Sequence, residues 1–403
     1  MIPELRRAFN RSWTEARYAD LLSAIGVRAG VQPQFPLSET PCFFSRALLG
    51  ELSDAGIELV SQILDRPDAR AAADAAVPPA FRGPNQDENP TFVQVDFGLV
   101  RDADGGIHPK LVELQAFASL YGLQPLFAEV YREAFDLRAD LDPFLGGHDR
   151  ATYRARLRDA IVGAHDPAEV VLMEIDPLHQ KTLPDFRVTE ANWGVRAVDT
   201  ADVEREGRAL FYRRDGRRTR IRRVYNRVIP DELERKKIAL TFDYRDDLDV
   251  EWAGHPAWFF RVSKFSIPFL THPAVPRTWF LDELDAVPDD RENFVLKPLF
   301  SFAGGGIIFG PTDADLAAVP AASRHDYILQ ERIAFTPVID TPHGWTQVEI
   351  RIMYVWTDAL RPVIALLRMG RGKMMGVDHN KGFRWVGASA AFADGSSGSA
   401  PVV

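Results

Sequence analysis

The sequence predicts an α+β protein with a small α/β unit inserted in it, on three observations. Residues 293–310 (Asn-Phe-Val-Leu-Lys-Pro-Leu-Phe-Ser-Phe-Ala-Gly-Gly-Gly-Ile-Ile-Phe-Gly) read as strand, glycine loop, strand. Residues 92–122 read as a hairpin carrying acids, with Val-Gln-Val-Asp-Phe-Gly-Leu-Val and then Lys-Leu-Val-Glu-Leu-Gln-Ala-Phe-Ala-Ser-Leu-Tyr-Gly. From about 150 to 255, short apolar runs alternate with helical stretches, the pattern of an α/β layer.

In chain order, residues 1–75 read as helical. Ser12–Ile25 is amphipathic, Ser45–Leu64 has apolar residues at three- and four-residue spacing, and Pro33–Pro41 separates them. Asp65–Arg82 is rich in Ala and Pro and ends in a loop. Phe92–Val100 and Lys110–Leu114 follow as strands, with Asp104-Gly105-Gly106 as their turn. Leu123–Phe135 reads as a helix and Leu141–Asp149 as a loop. Tyr153–Val162 is then a helix, Glu169–Glu174 a buried strand, Arg208–Arg213 with Thr219–Tyr225 a hairpin, and Pro230–Ile238 a helix. Lys264–Leu270 leads into a proline-bounded link. Strands are expected at Val295–Pro298, Gly306–Phe309 and Tyr327–Glu331, and Glu349–Trp356 with Arg361–Leu367 as a long hairpin. The tail from Ala393 is poor in apolar residues and is expected to fray. No internal repeat is present. These changes of character divide the chain at 1–150, 151–255, 256–392 and 393–403.

Composition narrows the function classes. The chain has 403 residues, enough for two or three domains, and 46% of them are hydrophobic, as in a globular protein. The net charge of −9 disfavours a nucleic-acid backbone as partner. The basic run Arg213–Arg223 surrounds Asp215-Gly216, a strong turn signal, and reads as a solvated hairpin. Cys42 is the one cysteine, which excludes an internal disulfide and a cysteine-based zinc cluster. In Thr-Pro-Cys-Phe-Phe it reads as packing. The N-terminus is no signal peptide, and no stretch approaches the ~20 apolar residues of a membrane span. A cytoplasmic protein is expected. Trp193, Trp252 and Trp258 can line an apolar pocket but read more readily as core.

Three segments carry chemistry. In the glycine loop, Gly304, Gly305 and Gly306 let backbone amides approach phosphate oxygens, and Lys297 at the end of the preceding strand is placed to neutralise one. A glycine-rich hairpin has the same look. Glu113 and Gln115, two apart on a strand, point to one face and are hard oxygen ligands suited to magnesium, with Asp96 on the neighbouring strand able to complete the site. The alternative is an exposed polar hairpin face, but the apolar surroundings argue for burial, and a buried carboxylate needs a partner or a cation. Finally, Tyr327-Ile328-Leu329-Gln330-Glu331-Arg332-Ile333 is an apolar strand ending in polar groups, which suits an adenine hinge and equally an ordinary strand end.

The combination resembles the ATP-grasp superfamily over roughly residues 90–125 and 255–392. The acids precede the glycine loop, so the order resembles the circularly permuted branch typified by eukaryotic glutathione synthetase and glutathionylspermidine synthase. Val112–Gly122 resembles the magnesium segment of that synthetase, Val295–Pro298 with Gly304-Gly305-Gly306 its phosphate loop, and Arg208–Arg227 its substrate-domain hairpin. The resemblance implies a circularly permuted ATP-grasp fold. Residues 1–150 would hold helices and the magnesium-binding part, 151–255 a substrate-binding domain, and 256–392 the lid and nucleotide-binding part.

It further implies ATP and Mg2+ as cofactors. Asp96, Glu113 and Gln115 would bind metal. Lys264, Lys297, Gly304, Gly305, Gly306, Gln330, Glu331 and Ile333 would bind nucleotide. Arg351, in the Glu349-Ile350-Arg351 strand, would lie near phosphate or the acyl intermediate, with Arg368 on the next strand and Lys297 as further catalytic residues. Arg227 would hold a substrate carboxylate. The glycine-rich segment Met374–Ser389 resembles a loop facing the acceptor, with Asn380 and Arg384 as substrate contacts, Lys381 as another phosphate or acid contact, and His379 either a base or a surface residue. Two departures stand out: Gln115 replaces the family's Asn, and Phe302-Ala303 stand where the synthetase carries a metal-binding Glu.

The activity implied is ATP-dependent carboxylate–amine ligation of small molecules. A carboxylate becomes an acylphosphate, an amine displaces phosphate, and the segment 290–335 closes as a lid that excludes water. The alternatives are a phosphotransferase on the same fold and a nucleotide-binding protein without catalysis. The partners implied are a small acid and a small amine, with no nucleic acid and no membrane. A homodimer follows only by analogy with the synthetase.

Overall fold

Strict alternation of polar and apolar residues decides the centre of the fold. In Val93-Gln94-Val95-Asp96-Phe97 and in Val348-Glu349-Ile350-Arg351-Ile352, every second residue is apolar. Such segments place one face on a core and the other elsewhere. The computed structural model describes residues 1–301 and 305–395, apart from the side chains of Val377 and Asp378, and pairs these two segments side by side.

The chain opens with α1 (Pro3–Ser12) and α2 (Glu15–Ala29). The expected single helix across Ser12–Ile25 is broken at Trp13-Thr14, because the Thr14 hydroxyl accepts the Arg17 N–H and starts a new helix. Strand β1 (Cys42–Phe44) leads to α3 (Arg46–Leu64), capped by Ser45, and to α4 (Pro67–Ala76) with proline in its first turn. The hairpin β2 (Phe92–Arg101) and β3 (Ile107–Gln115) turns through Gly105 at φ +88°. Helices α5 (Leu123–Phe135) and α6 (Arg150–Ile161) follow.

Next come β4 (Val170–Glu174), α7 (Leu183–Trp193) and β5 (Arg196–Asp199), then the meander β6 (Glu204–Glu206), β7 (Ala209–Arg214) and β8 (Arg217–Ile221). Strand β9 (Arg223–Asn226), α8 (Pro230–Lys236), β10 (Glu251–Ala253) and α9 (Ala257–Arg261) close this region. The expected strand Thr219–Tyr225 is therefore two strands. Residues 217–221 pair with β7, whereas 223–226 lie parallel to β4 in another sheet. The basic hairpin turns at Asp215 and Gly216, both at positive φ. Its arginines meet acids: Arg213 and Arg218 on Glu204, Arg220 on Asp249, Arg222 on Glu169.

The last third holds β11 (Thr278–Phe280), β12 (Phe294–Pro298), β13 (Ile308–Phe309), α10 (Asp313–Ala318), β14 (Tyr327–Glu331), β15 (Gln347–Trp356), β16 (Leu360–Gly370) and β17 (Gly387–Ala393). Among the described residues the strands form four sheets. These are a six-stranded sheet β1-β17-β16-β15-β2-β3, a parallel sheet β10-β9-β4-β5, an antiparallel sheet β11-β14-β12-β13, and the meander β6-β7-β8. Strands β1 and β17 had no strand signal in the sequence. Gly387–Ala393 consists mostly of small residues, and it is a strand because β16 and β1 pair with it on either side. The tail is held as far as Asp394, whose N–H donates to the Phe44 carbonyl. Residues 396–403 lie outside the described residues.

One face of the six-stranded sheet packs on α3: Val93, Val95, Phe97, Val348, Ile350 and Ile352 join Leu49, Leu52, Leu59 and Ile63 in one core. Cys42 belongs to it, and burial pushes its thiol up to about 12. On the other face stand Gln94, Asp96, Glu349 and Arg351. A bulge at Val112 makes Phe97 oppose Leu111 while Asp96 opposes Glu113. The extra residue brings Glu113 and Gln115 onto the polar face. Trp252 and Trp258 are buried in cores, as is Trp193.

Asp185 of α7 fastens the α/β region to the rest. Its side chain is fully buried. It accepts the N–H groups of Leu120, Gly122 and Leu123 at 3.2, 2.9 and 2.9 Å, and Arg227 donates to it at 2.6 Å. It thus satisfies the free amides at the start of α5 and neutralises a buried guanidinium. Asp185→Ala is expected to destabilise the protein by ~3–5 kcal/mol in denaturant unfolding, because Arg227 is left charged and alone. Asp185→Leu combined with Arg227→Met should recover all but about 1 kcal/mol, the share of the lost helix cap.

Candidate functional site

A cleft of about 310 Å³ lies against the polar face of the six-stranded sheet. Glu113 and Gln115 (β3), Glu349 and Arg351 (β15) and Arg368 (β16) line it from that sheet. Lys297 (β12) with Gln330 and Glu331 (β14), and Ile333 beyond the strand end, line it from the antiparallel sheet. Lys264 and the loop Lys373–Gly376 with His379 close the remaining sides. Segments far apart in the chain thus meet in one concavity, the usual form of a small-molecule site.

Register explains the electrostatics of its floor. Arg351 lies opposite Asp96 across β15–β2, and Glu349 lies opposite Arg368 across β15–β16. Asp96 is 2% exposed and receives Arg351 through two nitrogens, each at 2.6 Å. Arg368 reaches Asp96 and Glu349 as well. Burial alone would raise the Asp96 pKa, but Arg351 and Arg368 hold the carboxyl below its usual range. For Glu349 burial wins and pushes it up to about 7, against the pull of Arg368 and helped by Asp96. The two carboxyls sharing Arg368 are therefore driven apart.

The lysines are set by their supports. Lys264 opens a short 3-10 helix behind a Ser263–Ser266 capping box. Its ammonium donates to the Ser301 carbonyl at 2.7 Å and lies 3.8 Å from Glu113. Lys297 donates to the Gln330 side-chain oxygen. Burial lowers the Lys297 pKa to about 8, Glu113 opposing and Lys264 adding to the shift. Ammonium can only donate, so Gln330 must present Oε1 to it, and Gln330 Nε2 is left buried with no hydrogen-bond partner among the described residues. A buried donor without an acceptor beside a cleft fits a ligand that supplies one. Paired lysines with Arg351 and Arg368 fit phosphate oxygens, and the side-chain oxygens of Glu113 and Gln115 fit a hard cation.

The remaining expected residues are placed differently. Gly305 and Gly306 are exposed at the turn into β13, Gly306 at φ +73°, while Gly304 and the Phe302-Ala303 pair lie outside the described residues. Arg227 is 2% exposed, bound to Asp185, and is not among the residues lining the cleft. Arg384 lies on the surface against Glu15 and Glu39. Asn380 is buried and braces its own loop: Oδ1 accepts Arg371 N–H and Gly372 N–H, and Nδ2 donates to Met374 and Gly376 carbonyls. Sequence reasoning passed over Glu349 as a site residue although it stands two positions before Arg351. It also passed over Gln94, fully buried beside Arg351, whose alternation in β2 was the available signal.

No protein-family model and no curated protein sequence matches the chain. A solved structure is similar. It is a glutathione synthetase-like effector from Globodera pallida in its apo form, with a TM-score of 0.60 at 12% identity, covering 94% of this chain and 96% of that chain. At that identity the likeness shows the fold: an α+β architecture of glutathione synthetase-like form. No helix among the described residues is long and apolar enough to cross a membrane.

The raised Glu349 pKa has a measurable consequence. Its folded value of about 7 exceeds the unfolded 4.5, so between these pH values the folded state holds the extra proton. The Glu349 contribution to stability is thus lost as pH rises from about 4.5 to about 7. Glu349→Gln is expected to flatten that part of the stability–pH profile measured by chemical denaturation.

Proposed function

We propose that the chain is an ATP-dependent carboxylate–amine ligase that joins two small molecules and releases ADP and phosphate, with the order of a circularly permuted ATP-grasp fold. The observation that carries this reading is the meeting of Glu113 and Gln115 with Lys264, Lys297, Gln330, Arg351 and Arg368 in one cleft, on a glutathione synthetase-like fold. The acid-bearing hairpin precedes the lysine and glycine-loop segment by over a hundred residues, which is the order that motivates the permuted assignment.

In this reading a substrate carboxylate oxygen attacks the terminal phosphorus and ADP leaves. The amine nitrogen then attacks the acyl carbon, and phosphate departs with the broken C–O bond. Lys264 and Lys297 bind and neutralise phosphate oxygens, Arg351 and Arg368 stabilise charge as it develops, and Gln330 with the chain at Glu331–Ile333 orients the base. Magnesium, held by Glu113 and Gln115, would supply Lewis-acid charge to the phosphoryl oxygens. Asp96 has both oxygens on arginines, so its part in the metal set requires giving up those bonds. The sheet of β11 to β14 covers the cleft and serves to exclude water from the acylphosphate.

A thermal melt with Mg-ATP, and with EDTA as control, tests the reading. At about a hundred times the dissociation constant, nucleotide should stabilise by ~2.7 kcal/mol, and only with the metal present. Absence of any shift at millimolar nucleotide sinks the assignment. Given a shift, free phosphate with an amide product marks the ligase, a stable phosphorylated product marks a phosphotransferase, and binding without turnover marks a non-catalytic protein. Lys297→Ala is expected to abolish ATP-dependent turnover while leaving the circular-dichroism spectrum unchanged.

Lys297 also predicts a pH dependence of binding. The free side chain titrates near 8 and the triphosphate favours its charged form. Affinity is thus level below that pH and falls as pH rises through it. Calorimetric titration of Mg-ATP from pH 7 to 9.5 should show the decline, and Lys297→Ala should remove it.

A further inference from the structure

We propose that Gln94 is a positioning residue that decides which end of the Gln115 amide faces the cleft, turning its oxygen toward the metal. The inference rests on the magnesium reading of Glu113 and Gln115.

Three hydrogen bonds carry the argument. Arg351 donates to Gln94 Oε1 at 2.8 Å, Gln115 Nε2 donates to the same oxygen at 2.7 Å, and Gln94 Nε2 donates to the Ser119 carbonyl at 2.8 Å. Side-chain amides can be placed either way round, and only their partners settle the direction. Here the partners leave one choice. Guanidinium has donors alone, so the end of Gln94 that meets Arg351 must be the oxygen. The Ser119 carbonyl accepts alone, so the opposite end must be the NH2. Both constraints agree, and Gln94 is fully buried. Gln115, directly opposite on β3, must then offer its NH2 to Gln94 and keep its oxygen for the cleft it lines.

Polarity is thus relayed from the Arg351 charge through two neutral amides to one oxygen ligand. Such outer partners commonly carry a tenfold or greater share of metal affinity. Adding a carboxylate at position 115 would ordinarily strengthen cation binding. The relay predicts the reverse, because Gln94 Oε1 would then face a second acceptor.

The test is Mn2+ binding to the full chain in the presence of the β,γ-imido analogue of ATP, followed by electron paramagnetic resonance and calorimetry. Gln94→Leu is expected to weaken Mn2+ about tenfold or more. Gln115→Glu should bind no tighter than wild type, yet should gain affinity when placed on Gln94→Leu. A Gln115→Glu single variant that binds tighter than wild type overturns the relay. So does a folded Gln94→Leu protein with wild-type affinity while Glu113→Gln loses the ion; in that case the magnesium reading stands. Wild-type protein that takes up no Mn2+ overturns both.

Discussion

The interaction on which the site depends is the arginine–carboxylate lattice across β16, β15 and β2. Asp96 is almost wholly buried on the polar face of a sheet whose other face is core. A lone carboxylate there would be costly enough to protonate or to distort the sheet. Arg351, delivered by strand register, meets it with two nitrogens, and Arg368 reaches it from the next strand. Removing Asp96 would take from Arg351 and Arg368 the carboxylate they share, so the lattice holds three strands in register and fixes two guanidinium groups at the floor of the cleft. The same lattice sets Glu349 apart from Asp96, since both compete for Arg368 and the one with fewer donors takes the proton.

Much of this is legible in the residues. Alternation in 93–97 and 348–352 places both segments at a half-buried sheet, and the glycine loop after Val-Leu-Lys-Pro correctly implies an antiparallel return, seen as Val295 opposite Phe309. The partners of buried charges are not legible. Asp96 in a Val-Asp-Phe strand reads as a metal ligand, but its arginines come from 255 and 272 residues later. Arg227 reads as a substrate anchor, but Asp185 lies against it from α7. Local pattern reports which face a residue takes and says nothing of what arrives from the far end of the chain.

The strands missed by local reading fail for the same reason. Gly387–Ala393 is fully buried, carries little β-branched character, and exists as a strand through its two neighbours. Gly387 is required at its start: φ is +116°, and a Cβ there would lie 2.4 Å from the Pro36 carbonyl oxygen. By contrast Arg222 divides a run that reads as one strand, because residues on either side satisfy two different sheets. Propensity in such places is a weak prior that tertiary pairing overrides.

A common logic links the two glutamine pairs of the cleft. Lys297 and Arg351 are donors without acceptor capacity, and each faces a buried glutamine, Gln330 and Gln94. Each cation therefore fixes an oxygen toward itself and an NH2 away. At Gln94 that NH2 goes to the Ser119 carbonyl, and the direction passes on to Gln115. At Gln330 the NH2 finds no partner among the described residues and is left beside the cleft. The charges thus do more than attract an anion. They fix the direction of otherwise reversible amides, leaving an NH2 beside the cleft at Gln330 and an oxygen free of Gln94 at Gln115.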